Sequence, residues 1–250
     1  MKLNQNKLFG AFCILMICIS CSRSDSEKAS KFIEVGFKKE QSGDFAGAIV
    51  CYNKALDLDS KNVCAYNSRA VAEDAIKDYV SEITDCDKVI ELNPSYAPAY
   101  NNLAFAMQHL GNYLGALTNY NKSIELDSKN VISYDNRGVL KGVYFKDYDG
   151  AITDFTKAIE LNPYSAVSYR NRGFAKYDSG DNVGAVSDLT TAIKLNSNDY
   201  VAYNKRGMAK SKLGDYAGAI TDFKNALVLN PQYTEAYSNR DLINSRLINR

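Results

Sequence analysis

The chain has 250 residues, 46% hydrophobic and 24% charged, with 18 Tyr, 10 Phe and no Trp. This composition excludes a disordered polymer, which lacks the apolar surface needed to offset chain ordering. Lys+Arg is 30 against Asp+Glu 29, a net charge of +1, so there is no electrostatic footprint for nucleic acid or an acidic surface.

The first element, residues 1–21, reads as a targeting segment. Lys2 and Lys7 supply positive charge, and Leu8 to Ser20 is rich in apolar side chains. That run is too short to cross about 30 Å of hydrocarbon as a helix rising about 1.5 Å per residue. It has the length of a signal-peptide core. Cys21 follows, then the polar stretch Ser22-Arg23-Ser24-Asp25-Ser26-Glu27-Lys28. The arrangement resembles a bacterial lipoprotein signal, with Ser20 as the small residue before the cysteine and Cys18 as a departure from the aliphatic residue usual there. The resemblance implies that Cys21 becomes a lipidated N-terminus, anchored to the cell envelope by its acyl chains. Residues 22–28 are then expected to be a polar tether.

From residue 29 onward the chain repeats. Phe32, Tyr66, Tyr100, Tyr134, Tyr169, Tyr203 and Tyr237 stand 34 residues apart, except for a 35-residue step from Tyr134 to Tyr169. A fixed period of this length marks stacked helical repeats. With the aromatic at position 4, the repeats are 29–62, 63–96, 97–130, 131–165, 166–199 and 200–233. Position 8 is Gly36, Ala70, Ala104, Gly138, Gly173 and Gly207, and position 24 is Tyr52, Cys86, Tyr120, Phe155, Leu189 and Phe223. Small residues at position 8 let two helices approach, and the large ones at 24 fill the adjoining space. Position 16 is Asp44, Asp78, Asn112, Asp147, Asp181 and Asp215, where a side-chain oxygen can cap a second helix. Gly43, Gly111, Gly180 and Gly214 precede four of these, at the turn. Residues 234–250 read as a terminal helix whose Tyr237, Ile243, Leu247 and Ile248 cover the sixth repeat, with Asn239, Arg240, Asp241, Asn244, Arg246 and Arg250 in water.

Stretches such as Tyr203-Asn204-Lys205-Arg206-Gly207, Gly214-Asp215-Tyr216-Ala217-Gly218-Ala219-Ile220 and Ala226-Leu227-Val228-Leu229-Asn230-Pro231 resemble the tetratricopeptide repeat. The resemblance implies an all-α fold. Six helix-turn-helix units form a right-handed superhelical solenoid, closed by a C-terminal capping helix.

Several positions depart from the pattern. Glu82 stands at the small position 20, and Lys77 replaces the turn glycine of the same repeat. Burying an unpaired carboxylate is costly, so either the second repeat splays or Glu82 reaches a cation. The fourth repeat carries one extra residue between Lys141 and Lys146. Arg69, Arg137, Arg172 and Arg206 occupy position 7 in the four repeats that carry Asp85, Asp154, Asp188 and Asp222 at position 23. This correlation predicts an Arg–Asp pair between the two helices of each of those repeats. The odd number of cysteines in the first two repeats leaves a Cys51–Cys64 bridge open, with small buried hydrophobes as the other reading.

No catalytic, metal or cofactor pattern stands out. The single histidine, His109, has no ligand at useful spacing. In the tetratricopeptide family, positions 2, 5, 6, 9, 12 and 13 of the first helices line the concave face. The resemblance therefore places Asn67, Asn101, Asn102, Asn136, Asn171 and Asn204 there, with Phe105, Phe174, Tyr177 and Met208 between them and charge at Arg170 and Lys205. Asn can both donate to and accept from a peptide backbone. The carboxylate clamp of some family members is incomplete, because Asp135, Val139 and Val201 stand at three of its places.

These features predict a non-catalytic scaffold of the bacterial envelope. It binds a protein or peptide partner in its groove and takes no nucleic acid, small-molecule substrate, cofactor or metal. Two other readings stand beside it: an envelope component acting by self-association, or an accessory subunit of a periplasmic enzyme or secretion complex.

Overall fold

A computed structural model of the chain describes residues 23–248, and Cys21 with the rest of the targeting segment lies outside them. The described residues form thirteen α-helices and no strands. They run α1 (Arg23–Gln41), α2 (Phe45–Leu58), α3 (Val63–Ile76), α4 (Tyr79–Leu92), α5 (Ala97–His109), α6 (Tyr113–Leu126), α7 (Val131–Tyr144), α8 (Tyr148–Leu161), α9 (Ala166–Ser179), α10 (Asn182–Leu195), α11 (Tyr200–Lys212), α12 (Tyr216–Leu229) and α13 (Thr234–Ile248). The chain divides into two compact halves, one ending at Ser133 and one starting at Tyr134. In the first half α1 packs on α2, α3 on α4 and α5 on α6; in the second α9 packs on α10 and α11 on α12.

The position-16 residues form the expected caps. Asp44, Asp78, Asn112, Asp147, Asp181 and Asp215 each accept a backbone N–H three residues on, at 2.8–3.2 Å. This satisfies one of the orphan donors at each even-numbered helix start. Caps of the odd-numbered helices are Asn62, Asn130, Ser165 and Asp199, at the last position of their repeats. Tyr96, in the corresponding place, makes no side-chain cap, and Pro98 lies in the first turn of α5 instead. The turns take left-handed backbone at Gly43, Gly111, Gly180 and Gly214, and at Lys77 (φ 65). Lys146 (φ 56) takes it in the longer fourth repeat. The extra residue is therefore absorbed in the turn.

Packing follows the alternation of small and large. Tyr52, Cys86, Tyr120, Phe155, Leu189 and Phe223 are all 2% exposed or less. A Cβ added to Gly36, Gly138, Gly173 or Gly207 would come within 2.6–2.8 Å of the position-24 side chain of the same repeat. Where that side chain is Cys86 or Tyr120, position 8 is alanine, and both members are buried.

All four expected Arg–Asp pairs are present and bidentate. Nε and Nη2 of Arg69, Arg137, Arg172 and Arg206 donate to both oxygens of Asp85, Asp154, Asp188 and Asp222 at 2.6–2.9 Å. Each guanidinium also lies 5.5–5.6 Å from the centroid of the ladder tyrosine one turn earlier. Two links escaped the sequence reading. Lys141, Lys176 and Lys210, four residues after the arginine, reach the same aspartates at 2.8–2.9 Å. Nη1 of Arg69, Arg172 and Arg206 crosses to the preceding repeat, at Asn53, Thr156 and Thr190.

Five expectations need correction. Residues 23–28, read as a tether, are the start of α1, where Lys28 pairs with Asp25 one turn away. The sixth repeat is covered by Ala236 and Ile243, whereas Tyr237 is 40% exposed under Arg240. Asn239 is half-buried rather than wholly in water, and its amide donates to Asn204 Oδ1 at 3.1 Å. Cys51 and Cys86 are buried thiols, and the Cys51–Cys64 bridge is not formed. Burial pushes the Cys86 thiol well above its usual range, with Glu82 and Asp85 adding to the shift. The second repeat is not splayed: α3 and α4 pack as the other pairs do, and Glu82 is 2% exposed in the core.

Candidate functional site

The face proposed for binding is built from odd-numbered helices. At about 100° per residue, positions 2, 5, 6, 9, 12 and 13 share one side, opposite positions 7 and 11 that carry the ion pairs. The structure divides the candidates on that side into two classes.

Position 5 points sideways into the following repeat. Asn101 is 8% exposed, and its Oδ1 accepts from Ser133 Oγ at 3.3 Å. Ser133 Oγ in turn lies 2.8 Å from Ser123 Oγ. Asp135 accepts from Ser168 Oγ at 2.8 Å. Burial lifts its carboxyl to about 6, with the Ser168 bond and Arg170 opposing the shift. Asn204 is 2% exposed, donates to Tyr233 Oη at 3.2 Å and accepts from Asn239. Asn67 is also buried, at 5% exposure. Asn67, Asn101 and Asn204 thus lie at the seams between repeats, with their amides turned inward rather than toward a ligand. A buried polar side chain needs such partners; repeat stacking supplies them for Asn101 and Asn204, whereas Asn67 Oδ1 is buried without a hydrogen-bond partner.

Position 6 and the positions beyond it remain accessible. Asn102, Asn136 and Asn171 are half-buried, as are Phe105, Phe174, Tyr177, Lys205 and Met208. In the N-terminal half, Phe105 meets His109 edge-on at 4.5 Å, and His109 stacks on Tyr79 at 4.6 Å with 6° between the rings. The lone histidine is therefore part of an aromatic cluster that includes Tyr79 from the preceding repeat, which spacing along one helix does not reveal.

In the C-terminal half, α9 and α11 bring their candidates together. Lys205 Nζ sits 5.4 Å from the Phe174 ring centroid and 4.7 Å from that of Tyr177. It pairs with Asp178 at 3.5 Å. Arg170 lies 6.0 Å from the Phe174 ring centroid, donates to Asn171 Oδ1 at 3.4 Å and reaches Asp199 at 3.2 Å. Burial raises the Tyr177 hydroxyl above its ordinary range, and Asp178 and Glu235 add to the shift. The result is a shelf of two cations around two aromatic rings, with carboxylates at its edges. Such a surface can take an apolar side chain on the rings and an acceptor on the cations. Asp178 and Asp199 were not identified from the sequence, since only the fold brings them beside Lys205 and Arg170. Among the described residues, no helix is long and apolar enough to cross a membrane.

Four sequence models of tetratricopeptide repeats match residues 41–72, 86–118, 133–165 and 200–233, together just over half of the chain. A curated relative, the tetratricopeptide repeat protein 36 homolog of Nematostella vectensis, is 40% identical over 53 residues, 21% of this chain and 29% of its own length. Among solved structures, the APC/C hetero-tetramer Cut9–Hcn1 contains a chain similar over 95% of this one and 44% of its own length, with a TM-score of 0.77 and 19% identity. Pseudomonas aeruginosa pilF is similar over 86% of this chain and 98% of its own, with a TM-score of 0.76 and 17% identity. These structural likenesses concern the fold. The matches to the four sequence models, borne out by the period, the caps and the paired helices, make the chain a member of the tetratricopeptide repeat family.

Proposed function

We propose that the protein is a non-catalytic scaffold of the bacterial envelope, lipid-anchored through Cys21, that binds an extended protein segment across α9 and α11. The observation that carries the binding reading is the shelf of Arg170, Phe174, Tyr177 and Lys205. Half-buried aromatics flanked by cations give anchor contacts at small cost in side-chain entropy. Asn171 and Met208 extend the shelf, the first with backbone-pairing capacity and the second with an adaptable apolar surface. Asn67, Asn101 and Asn204 are left out of the binding set, because repeat stacking buries them. The envelope reading is supported by the sequence pattern that ends at Cys21.

Two measurements test this. Intact mass of the membrane-extracted protein should start at Cys21 and include acyl chains; a mass starting at Met1 removes the anchor. Partners captured by crosslinking on whole cells should be lost on Arg170→Ala with Lys205→Ala and on Phe174→Ala, but retained on Asn102→Ala. Equal capture by all variants overturns the α9–α11 assignment.

A further inference from the structure

A second site lies in the N-terminal half, beside the face of α3 that carries positions 7 and 11. In repeats four, five and six the buried aspartate of position 23 receives two cations, an arginine and the lysine four residues after it. Repeat two keeps the arginine, Arg69 on Asp85 at 2.6 Å, but has Glu73 where the lysine should be. Glu73 is 6% exposed, its Oε1 is 3.8 Å from Arg69 Nε, and its Oε2 has no hydrogen-bond partner. It lines a cleft of about 440 Å³ between α2, α3 and α4, with Ile49 and Ile76 as apolar walls and Asn53, Asp78 and Asp85 as polar ones.

We propose that this cleft binds the ammonium group of a lysine side chain from a protein partner, which takes the place of the lysine that repeat two lacks. Three repeats of the same chain show the chemistry, with an ammonium 2.8–2.9 Å from the equivalent carboxylate beside the same arginine. Ile49 and Ile76 suit the methylene stem of the incoming residue. With Glu73 ionised, one guanidinium faces two carboxylates, and the incoming ammonium completes the balance in place of the carboxyl proton. The site is separate from the α9–α11 shelf and does not depend on it.

The charged groups facing Glu73 are Arg69 on its own helix, Asp85 on α4 and Asp78 in the turn; α2 contributes the uncharged Asn53 and Ile49. Burial, with Asp85 adding to it, raises the Glu73 carboxyl to about 8. An incoming ammonium therefore displaces a proton, and binding strengthens as pH rises.

The test uses Nα-acetyl-lysine methylamide as probe and Nα-acetyl-norleucine methylamide as the uncharged control, read by amide NMR shifts of Arg69, Glu73 and Asp85. Saturable shifts are expected with the lysine probe at pH 8.5, several-fold weaker at pH 6.5 and absent with norleucine. Glu73→Lys restores the internal ammonium, so it should abolish the shifts while raising the thermal midpoint. Glu73→Gln should weaken binding at least tenfold while leaving the fold intact. Absence of saturable shifts at pH 8.5, or equal shifts in Glu73→Lys, overturns the proposal.

Discussion

Replacing Asp188 with alanine should be among the most damaging single changes in the C-terminal half. Its carboxylate is 4% exposed and accepts from Arg172 Nε and Nη2 and from Lys176 Nζ, all at 2.8 Å. Alanine leaves two partly buried cations without their anion. Removing one partner of a buried pair costs about 3–5 kcal/mol. The side chains of Arg172 and Lys176 keep 16% and 20% of their surface in contact with water, which favours the lower end, about 3 kcal/mol. Arg172→Ala should cost less, about 1.5 kcal/mol, because Lys176 stays on the aspartate and one charged hydrogen-bonding partner is lost. The double substitution should then fall short of the sum by about 1–2 kcal/mol. Urea unfolding gives the total. Hydrogen exchange of α9 and α10 amides gives the local effect, since a repeat array can open in parts. Additivity within about 0.5 kcal/mol would refute the reasoning, because it would mean that the two side chains are not energetically coupled.

Other perturbations test other levels of the structure. Gly207→Ala puts a methyl 2.7 Å from Phe223 Cε1 and 3.1 Å from the Ala219 carbonyl. It should lower stability by about 1–2 kcal/mol, because overpacking outweighs the gain in helix propensity; an unchanged urea midpoint would contradict this. Asp147→Ala removes the cap on Gly150 N and should cost about 1 kcal/mol, with faster exchange confined to the first turn of α8. Glu73 holds its proton up to about pH 8 when folded and releases it near 4.5 when unfolded. Its contribution is therefore full below pH 4.5 and declines as pH rises through that window, by up to about 1.4 kcal/mol per unit. Glu73→Gln should flatten stability between pH 6 and 8. A smaller decline should persist below pH 6 from Asp135, whose carboxyl is also raised. A profile identical to that of the wild type between pH 6 and 8 would rule out this assignment.

The sequence by itself determined what depends on local chemistry or on a contact repeated at fixed spacing. Asp or Asn at position 16 caps the helix it precedes, whatever surrounds it. Glycine opposite a large side chain, and Arg at 7 matched to Asp at 23, were legible because the same two-helix geometry recurs and the residues covary along one chain. The tertiary structure decided which groove residues remain available. Asn at position 5 and Asn at position 6 are identical in type and only about 100° apart on the helix. Stacking of the next repeat buries the first, as at Asn204 against Tyr233 and Asn239, and leaves the second half-buried. No pattern within one repeat carries that information, because the partner groups lie 29 to 35 residues away. Glu73 divides the same way: the repeat register places it where Lys141, Lys176 and Lys210 stand, and only the packed α2, α3 and α4 show that it is buried in a cleft shared with Asp85.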